Sequence, residues 1–214
     1  PVNLIDPSGN FSVMEAGISI GAMAIMATMP VNLWAVNSEE AKIKQLILYF
    51  ALATNNSQNA DVDIKTLASL AWSESGSQKL GYWDRELNSS DDPFDVGIMR
   101  INSKVWDSKT RYYAYSGMPD QENISKGAQL LDEYCMNKAK KVISNGKYGG
   151  MDLLEGEDEL FVSVWVYKGF DKKSKAEFWK NQIYKKWPDV TAGDKPSQLL
   201  IKLWNERSDI IKTR

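Results

Sequence analysis

The chain contains no histidine and only one cysteine among its 214 residues. The absence of histidine excludes Ser-His and Cys-His catalytic triads as well as histidine-rich zinc sites. A single cysteine cannot form an intramolecular disulfide, and we interpret Cys135, which lies in a helical pattern, as a small buried hydrophobic residue. Acid–base chemistry near neutral pH must therefore come from carboxylates, tyrosines or lysines.

A strong charge of either sign is also lacking, since the formal net charge is −2. A nucleic-acid-binding protein would need a strongly basic face, so we predict no nucleic-acid partner. Asp91, Asp92 and Asp95 lie close together, but their spacing lacks the pattern of a calcium-binding loop. The sequence therefore predicts neither a metal nor a cofactor.

An uncharged segment, residues 16–36, is long enough to cross the core of a bilayer. Pro30 interrupts its second half, and acidic residues precede it where a signal sequence carries Lys or Arg. Three interpretations remain open: a membrane-seeking helix, a helix packed against a partner or its own domain, and a retained signal-like segment. We accordingly divide the chain into an N-terminal arm, residues 1–37, and one domain, residues 38–214.

Apolar residues at helical spacing predict that this domain is mainly α-helical. The first helix follows the segment 37–40, and Asp63 caps a second helix, for which Gly76 supplies the stop. Residues 77–95 are polar and rich in turn formers, which predicts a small β-hairpin. The expected fold class is α+β, mainly α, with a small β insertion and with four further helices at Ile124–Val142, Glu157–Lys168, Ser174–Trp187 and Pro196–Ile211.

The string Ala71-Trp72-Ser73-Glu74-Ser75-Gly76 places a carboxyl group in the last turn of the second predicted helix. The negative end of the helix dipole disfavours a carboxylate there, and the apolar neighbours desolvate it. We therefore expect the pKa of Glu74 to lie above the usual value of about 4.3. Cleavage of a glycosidic bond needs such a protonated acid, although Glu74 taken alone also fits a surface position at a helix end.

The string Asp95-Val96-Gly97-Ile98-Met99-Arg100-Ile101-Asn102-Ser103 reads as a glycine turn inside a short strand. Gly97 permits the backbone to approach a ligand closely, and Asn102 can form hydrogen bonds with sugar hydroxyls. The apolar residues of this string alternate with positions suited to line a groove. A buried acid beside such a strand is suited to the cleavage of a glycan.

Together, these two strings resemble the lytic transglycosylases of the lysozyme-like superfamily. The similarity is greatest to small peptidoglycan-cleaving members attached to secretion systems, conjugation machines and phage particles. Two later strings fit the same family in the same order: Asn123-Ile124-Ser125-Lys126-Gly127-Ala128 and Val166-Tyr167-Lys168-Gly169. The resemblance covers roughly residues 39–187, and the segment from Asp95 to Trp106 is also similar to a strand of the c-type lysozymes.

The resemblance implies a role for each matching position. Glu74 would act first as general acid and then as general base, and Asp95 and Tyr167 would stand beside it as further catalytic residues. The segment at Asn123 would be a packing element. The residues implied to bind substrate are Ser75, Gly97, Ile98, Met99, Arg100, Asn102, Trp106 and Lys168.

Two positions depart from the family pattern. Arg100 stands where the family usually has Gln, and Lys168 stands where it usually has Asn. Both changes replace a neutral amide by a cation. Two consequences remain open: a stronger grip on the carboxylates of muramic acid and its peptides, or a weakened or lost activity.

Asp95 leaves the type of reaction open. A second carboxylate that supports or attacks the anomeric carbon gives hydrolysis, as in lysozymes, whereas transglycosylases let the muramic acid 6-hydroxyl attack. The resemblance favours transglycosylation of peptidoglycan strands, with hydrolysis as the alternative and a non-catalytic wall-binding component as an alternative of another class. It implies a location in the cell envelope, the periplasm or a virion, with residues 16–36 as the contact to a membrane or an assembly partner.

Overall fold

The computed structural model describes residues 39–55, 57, 62–86, 93–148, 151–152, 158–169, 172–191 and 195–207. The N-terminal arm, residues 1–37, and the uncharged segment 16–36 within it lie outside these ranges. So does the end of the last predicted helix, residues 208–211. None of the helices formed by the described residues combines the length and apolar character that a membrane span requires.

The described part of the chain is mainly helical, with small antiparallel strand pairs, which confirms the coarse fold class α+β, mainly α. The helices are α1 (Glu39–Asn55), α2 (Ile64–Ser75), α3 (Asp120–Gln129), α4 (Met136–Asn145), α5 (Glu159–Lys168), α6 (Lys173–Phe178) and α7 (Lys195–Glu206). Two π-helical segments, Leu130–Cys135 and Trp179–Tyr184, continue α3 and α6, and Asp189–Thr191 forms a 3-10 turn. Every helix predicted within residues 38–214 therefore has a counterpart among the described residues, with shifted ends.

Helix α2 forms for the reasons that its sequence indicated. Asp63 caps its start by accepting a hydrogen bond from the Thr66 backbone N–H at 2.7 Å, and the chain leaves the helix at Gly76. A Cβ atom on residue 76 would lie 2.4 Å from the Trp72 ring, so the close passage of the chain over that ring requires glycine. Nearly all of α2 is buried, which makes it the central helix of the core.

The strands are short and pair in three hairpins. β1 (Gly76–Ser77) pairs with β2 (Tyr82–Trp83), β3 (Asp95–Val96) pairs with β4 (Ile101–Asn102), and β5 (Lys147–Tyr148) pairs with β6 (Met151–Asp152). The sequence predicted the first hairpin within residues 77–95, whereas the second ladder comes from the glycine-turn string itself. The third was not predicted because two residue pairs are too few to show an alternating pattern.

One apolar core extends from Ile43 in α1 to Trp204 in α7. The apolar residues at helical spacing in α1, Ile43, Leu46, Ile47 and Phe50, are buried in it, and so is Cys135. Burial of each large aliphatic or aromatic side chain contributes about 1.5–3 kcal/mol, so this core accounts for much of the stability of the domain.

Four tryptophans form a cluster inside this core. The ring of Trp187 lies 6.0 Å from that of Trp72, 5.5 Å from that of Trp83 and 5.3 Å from that of Trp204. Trp72 belongs to α2 and Trp204 to α7. The cluster thus joins the C-terminal helix to the central helix through one shared ring.

Candidate active site

A cleft of about 360 Å³ opens between α2, the β3–β4 hairpin, the π-helical segment after α3 and the end of α5. Seven of the residues singled out from the sequence line it: Glu74, Asp95, Arg100, Asn102, Trp106, Tyr167 and Lys168. They come from three separate parts of the chain, and folding brings them together around one space. The cleft contains both carboxylates and both of the cations that depart from the family pattern.

Glu74 occupies the last turn of α2, as predicted, and its side chain is only 17% exposed. Its Oε1 accepts a hydrogen bond at 2.6 Å from Nζ of Lys168, whose side chain is 12% exposed. Lys168 Nζ also donates to the backbone oxygen of Ser73 at 3.2 Å and to its Oγ at 3.0 Å. Glu74 is therefore part of a partly desolvated ion pair. The apolar pattern of α2 did not indicate Lys168 as its partner.

The β3–β4 hairpin forms the opposite wall of the cleft. Asp95 pairs in register with Asn102, whose Nδ2 donates to Asp95 Oδ1 at 2.8 Å. A four-residue turn joins the strands, and it contains Gly97 at φ +71° and Arg100 at φ +49°. The hydrogen bond fixes the Asp95 carboxylate at the cleft wall, and both turn residues adopt the left-handed region, which favours glycine.

Arg100 is nearly buried, at 8% exposure, although it lines the cleft. Its Nη1 lies 3.5 Å from the Asp95 backbone oxygen, and its buried Nη2 has no hydrogen-bond partner among the described residues. A buried guanidinium N–H without an acceptor costs free energy. Arg100 therefore places an unsatisfied N–H donor in the cleft wall beside Asp95.

Four of the predicted substrate-binding residues do not line the cleft: Ser75, Gly97, Ile98 and Met99. The side chains of Ile98 and Met99 are buried in the core, where the hairpin turn needs apolar anchors. The Ser75 hydroxyl donates to the Ile98 backbone oxygen at 2.8 Å. Ser75 therefore joins the hairpin turn to α2, and the buried side chains of Ile98 and Met99 anchor the turn in the core behind the wall.

Asn123, at the start of α3, fixes the same turn from the other side. Its side chain is fully buried, its Nδ2 donates to the Val96 backbone oxygen at 2.9 Å, and its Oδ1 accepts from the Met99 backbone N–H at 2.8 Å. One amide thus supplies the two hydrogen bonds that a third strand would otherwise supply. The resemblance implied a packing role for this segment, but no pattern in the sequence singled out the Asn123 amide.

Gly127, one turn further along α3, lets the helix lie against the hairpin. A Cβ atom at this position would come within 2.6 Å of Met99 Cγ. Asn123 and Gly127 lie one helical turn apart and therefore act on the same hairpin turn. Asn123 forms hydrogen bonds with this turn, and Gly127 leaves space for the Met99 side chain.

Replacing Asn123 with Asp is expected to lower the free energy of unfolding by about 1–3 kcal/mol, because the new oxygen cannot donate to Val96 and leaves a buried carbonyl unpaired. Chemical denaturation at neutral pH measures the change. Asn137 provides a matched control, since its Nδ2 also donates to a backbone oxygen but its side chain is exposed. We expect Asn137→Asp to change stability by less than about 0.5 kcal/mol; equal losses in the two variants would contradict the role given to Asn123.

Tyr167 reaches the hairpin from α5. Its hydroxyl donates to the Met99 backbone oxygen at 2.8 Å. Burial raises the pKa of the Tyr167 phenol well above its ordinary value, and the negative charges of Glu74 and Asp95 act in the same direction. Tyr167 is therefore a neutral hydrogen-bond donor that positions the turn, and it is unsuited to take up a proton near neutral pH.

The outer wall of the cleft is aromatic. The Trp106 ring contacts the rings of Tyr112 and Tyr134 edge-on, with centroids 5.3 and 4.7 Å apart. Rings in such a wall offer flat apolar faces on which a sugar can stack. Of these three, Trp106 and Tyr134 line the cleft itself.

The sequence did not single out four residues that line the cleft: Val105, Leu130, Tyr134 and Lys138. Tyr134 belongs to the π-helical segment, and Lys138 follows four positions later in α4. This spacing, which puts side chains on one helix face, was the available signal. A helix-wide apolar pattern says nothing, however, about which neighbour the polar face meets.

Among the residues that the structure describes, no group of three or more acidic or cysteine side chains is arranged to hold a metal ion.

Comparison with known proteins gives no relative. The chain matches no protein-family model, no curated protein and no solved structure. Support for a function therefore comes from the geometry of the cleft and from the strings that build it.

Proposed function

We propose that this protein cleaves the β-1,4 bond between N-acetylmuramic acid and N-acetylglucosamine in peptidoglycan, as a lytic transglycosylase of lysozyme-like fold. One observation carries the proposal. The helix-end glutamate, the glycine-turn hairpin and Tyr167, which were matched to that family as separate strings, all line or support one cleft. A chance resemblance of short strings gives no reason for them to meet.

The chemistry assigns Glu74 two successive steps. Protonated Glu74 gives its proton to the glycosidic oxygen as the bond to the muramic acid C1 breaks, and positive charge builds on the sugar ring. The resulting carboxylate then removes the proton from the C6 hydroxyl, whose oxygen bonds to C1. The products are a 1,6-anhydromuramic acid end and a free glucosamine 4-hydroxyl, and Glu74 is protonated again.

Lys168 must release Glu74 before the first step. Its ammonium group donates a hydrogen bond to Oε1, one of the two Glu74 oxygens that could carry the proton. Asp95, held by Asn102 on the wall opposite Glu74, supplies negative charge to the same cleft. Asn102 and Arg100, which also line the cleft, would contact the acetamido and carboxylate groups of the glycan.

Mass spectrometry of sacculi digested with the purified protein tests the proposal. Anhydro ends on the released muropeptides are the expected result. Reducing ends would instead assign a hydrolytic lysozyme, the second candidate, which is favoured by the presence of Asp95 in the same cleft as Glu74. Release of no fragment at all would overturn enzymatic cleavage.

A non-catalytic wall-binding component is the candidate of another class. The ion pair between Lys168 and Glu74 favours it, because a carboxylate held by an ammonium group can serve structure alone. Co-sedimentation with sacculi in the absence of released muropeptides would support this candidate. In either class, the proposed partner is the glycan strand, and the proposed location is the cell envelope or a virion.

A further inference from the structure

A second concavity, which we call the side pocket, adjoins the cleft on the far side of Lys168. It has a volume of about 290 Å³ and lies between the end of α2, the end of α5 and helix α6 with its π-helical continuation. Ser73, Lys168, Lys175, Phe178 and Trp179 contribute to its walls. Such a volume lies near the lower end of the range for ligand pockets, about 300 Å³.

The chemistry of the side pocket is apolar with a cationic rim. Phe178 is 60% exposed, an unusual position for a large apolar side chain, while Trp179 beside it is buried. The buried Trp179 Nε1 has no hydrogen-bond partner among the described residues. The described residues that line the pocket include two lysines, Lys168 and Lys175, and no acidic residue. The pocket therefore suits a ligand with small apolar groups and negative charge.

Lys168 connects the side pocket to the cleft. It is a wall of both spaces, and Ser73, which accepts two of its hydrogen bonds, also lines the side pocket. A glycan lying in the cleft would therefore carry any branch on its muramic acid past Lys168 and toward Phe178. That branch, in peptidoglycan, is a short peptide stem with alanyl methyl groups and free carboxylates.

We infer that the side pocket binds the peptide stem of the muramic acid residue whose glycosidic bond is cleaved. The inference rests on the proposed function and adds to it a preference for glycan strands that carry peptide stems. Phe178 packs against the alanyl methyl groups, and Lys175 pairs with a stem carboxylate. A lysine ammonium has three N–H donors, and those of Lys168 already serve Ser73 Oγ, the Ser73 backbone oxygen and Glu74. A stem carboxylate at the pocket rim therefore competes with Glu74 for Lys168.

The experiment compares kcat/KM on soluble glycan strands that carry their stems with kcat/KM on the same strands stripped by an amidase. The parent protein is expected to prefer the peptide-bearing strands. Phe178→Ala and Lys175→Glu are each expected to lower the ratio of the two values about fivefold or more, because each removes one contact to the stem. Both side chains are exposed, so the folded state tolerates either change.

Lys186→Glu serves as the matched control. Lys186 is an exposed lysine that follows the π-helical continuation of α6 and does not line the side pocket. Its reversal is expected to leave the ratio within twofold of the parent value. Ratios that are unchanged in Phe178→Ala and Lys175→Glu, or that fall equally in Lys186→Glu, overturn the inference.

A binding measurement separates this inference from the proposed function. Calorimetric titration of the full chain carrying Glu74→Gln with a synthetic alanyl-glutamyl stem tripeptide is expected to show binding that Lys175→Glu weakens about fivefold or more. The absence of binding, or equal weakening by Lys186→Glu, overturns the side-pocket assignment while cleavage of sacculi still supports the proposed function. A parent protein that cleaves neither type of strand overturns both.

Discussion

Replacing Glu74 with Gln is expected to lower the release of soluble muropeptides from sacculi by at least about a thousandfold, within the range that general acid–base catalysis contributes. Glutamine keeps the shape of the side chain, and its amide oxygen still accepts a hydrogen bond from Lys168. It has no acidic proton to give to the glycosidic oxygen and cannot remove one from the C6 hydroxyl. The rate of muropeptide release, measured together with the circular dichroism spectrum and Tm, separates lost chemistry from lost structure.

Glu40 offers a matched control for this substitution. It is also a helix glutamate that pairs with a lysine, Lys44, but it lies in the first turn of α1 and does not line the cleft. Glu40→Gln is expected to keep the parent rate within about twofold, as a surface substitution does. A Glu74→Gln protein that retains a tenth or more of the parent rate would show that another group supplies the proton.

Replacing Gly97 with Ala is expected to lower the free energy of unfolding by about 2–4 kcal/mol. A positive φ costs a side-chain-bearing residue about 1–2 kcal/mol, and the added Cβ would also lie 2.5 Å from the buried Asn123 Cγ. The clash pushes apart the turn and the amide that holds it. Because the turn aligns Asp95 and Arg100 at the cleft wall, the folded fraction is expected to lose activity as well.

Gly117 isolates the steric part of this effect. It has a similar backbone conformation, φ +84°, but a Cβ atom added there would meet nothing within 4 Å. Gly117→Ala therefore carries the backbone strain without the clash. We expect Gly97→Ala to melt at least about 2 °C below Gly117→Ala, since about 1 kcal/mol moves Tm by about 2–4 °C in a chain of this size. Equal Tm values would show that the Asn123 side chain moves away from the added Cβ atom without loss of stability.

Local patterns in the sequence predicted most of the helical architecture. The stripe of α1, the Asp63 cap and the stop at Gly76 each depend on residues within one or two helical turns of one another. The start of α3 and the end of the π-helical continuation of α6 were harder to place, because helix ends depend on which neighbours satisfy the free backbone groups. The π-helical segments follow from packing of the whole helix and leave no mark in the apolar spacing.

The sequence predicted seven of the residues that line the cleft, but not the contacts between their side chains. Glu74 and Lys168 are 94 positions apart, so no spacing rule pairs them. Ile98 and Met99 were assigned to the substrate because their string resembles a glycan-binding strand, yet their apolar side chains are buried in the core. A match to a short string identifies a segment of the chain, but it does not say which side chains of that segment face the cleft. The alternation of side chains along the strands decides which of them are buried and stabilise the hairpin.

The tryptophan cluster provides an intrinsic optical signal for the packing of α7 against the core. Indoles about 5–6 Å apart are close enough for their excited states to couple, and the Trp187 ring lies at such a distance from Trp72 of α2 and Trp204 of α7. Undocking of the C-terminal helix would therefore alter the near-ultraviolet signal of the same indoles that pack beside the helix of Glu74. Fraying at the end of the domain becomes visible without any attached label.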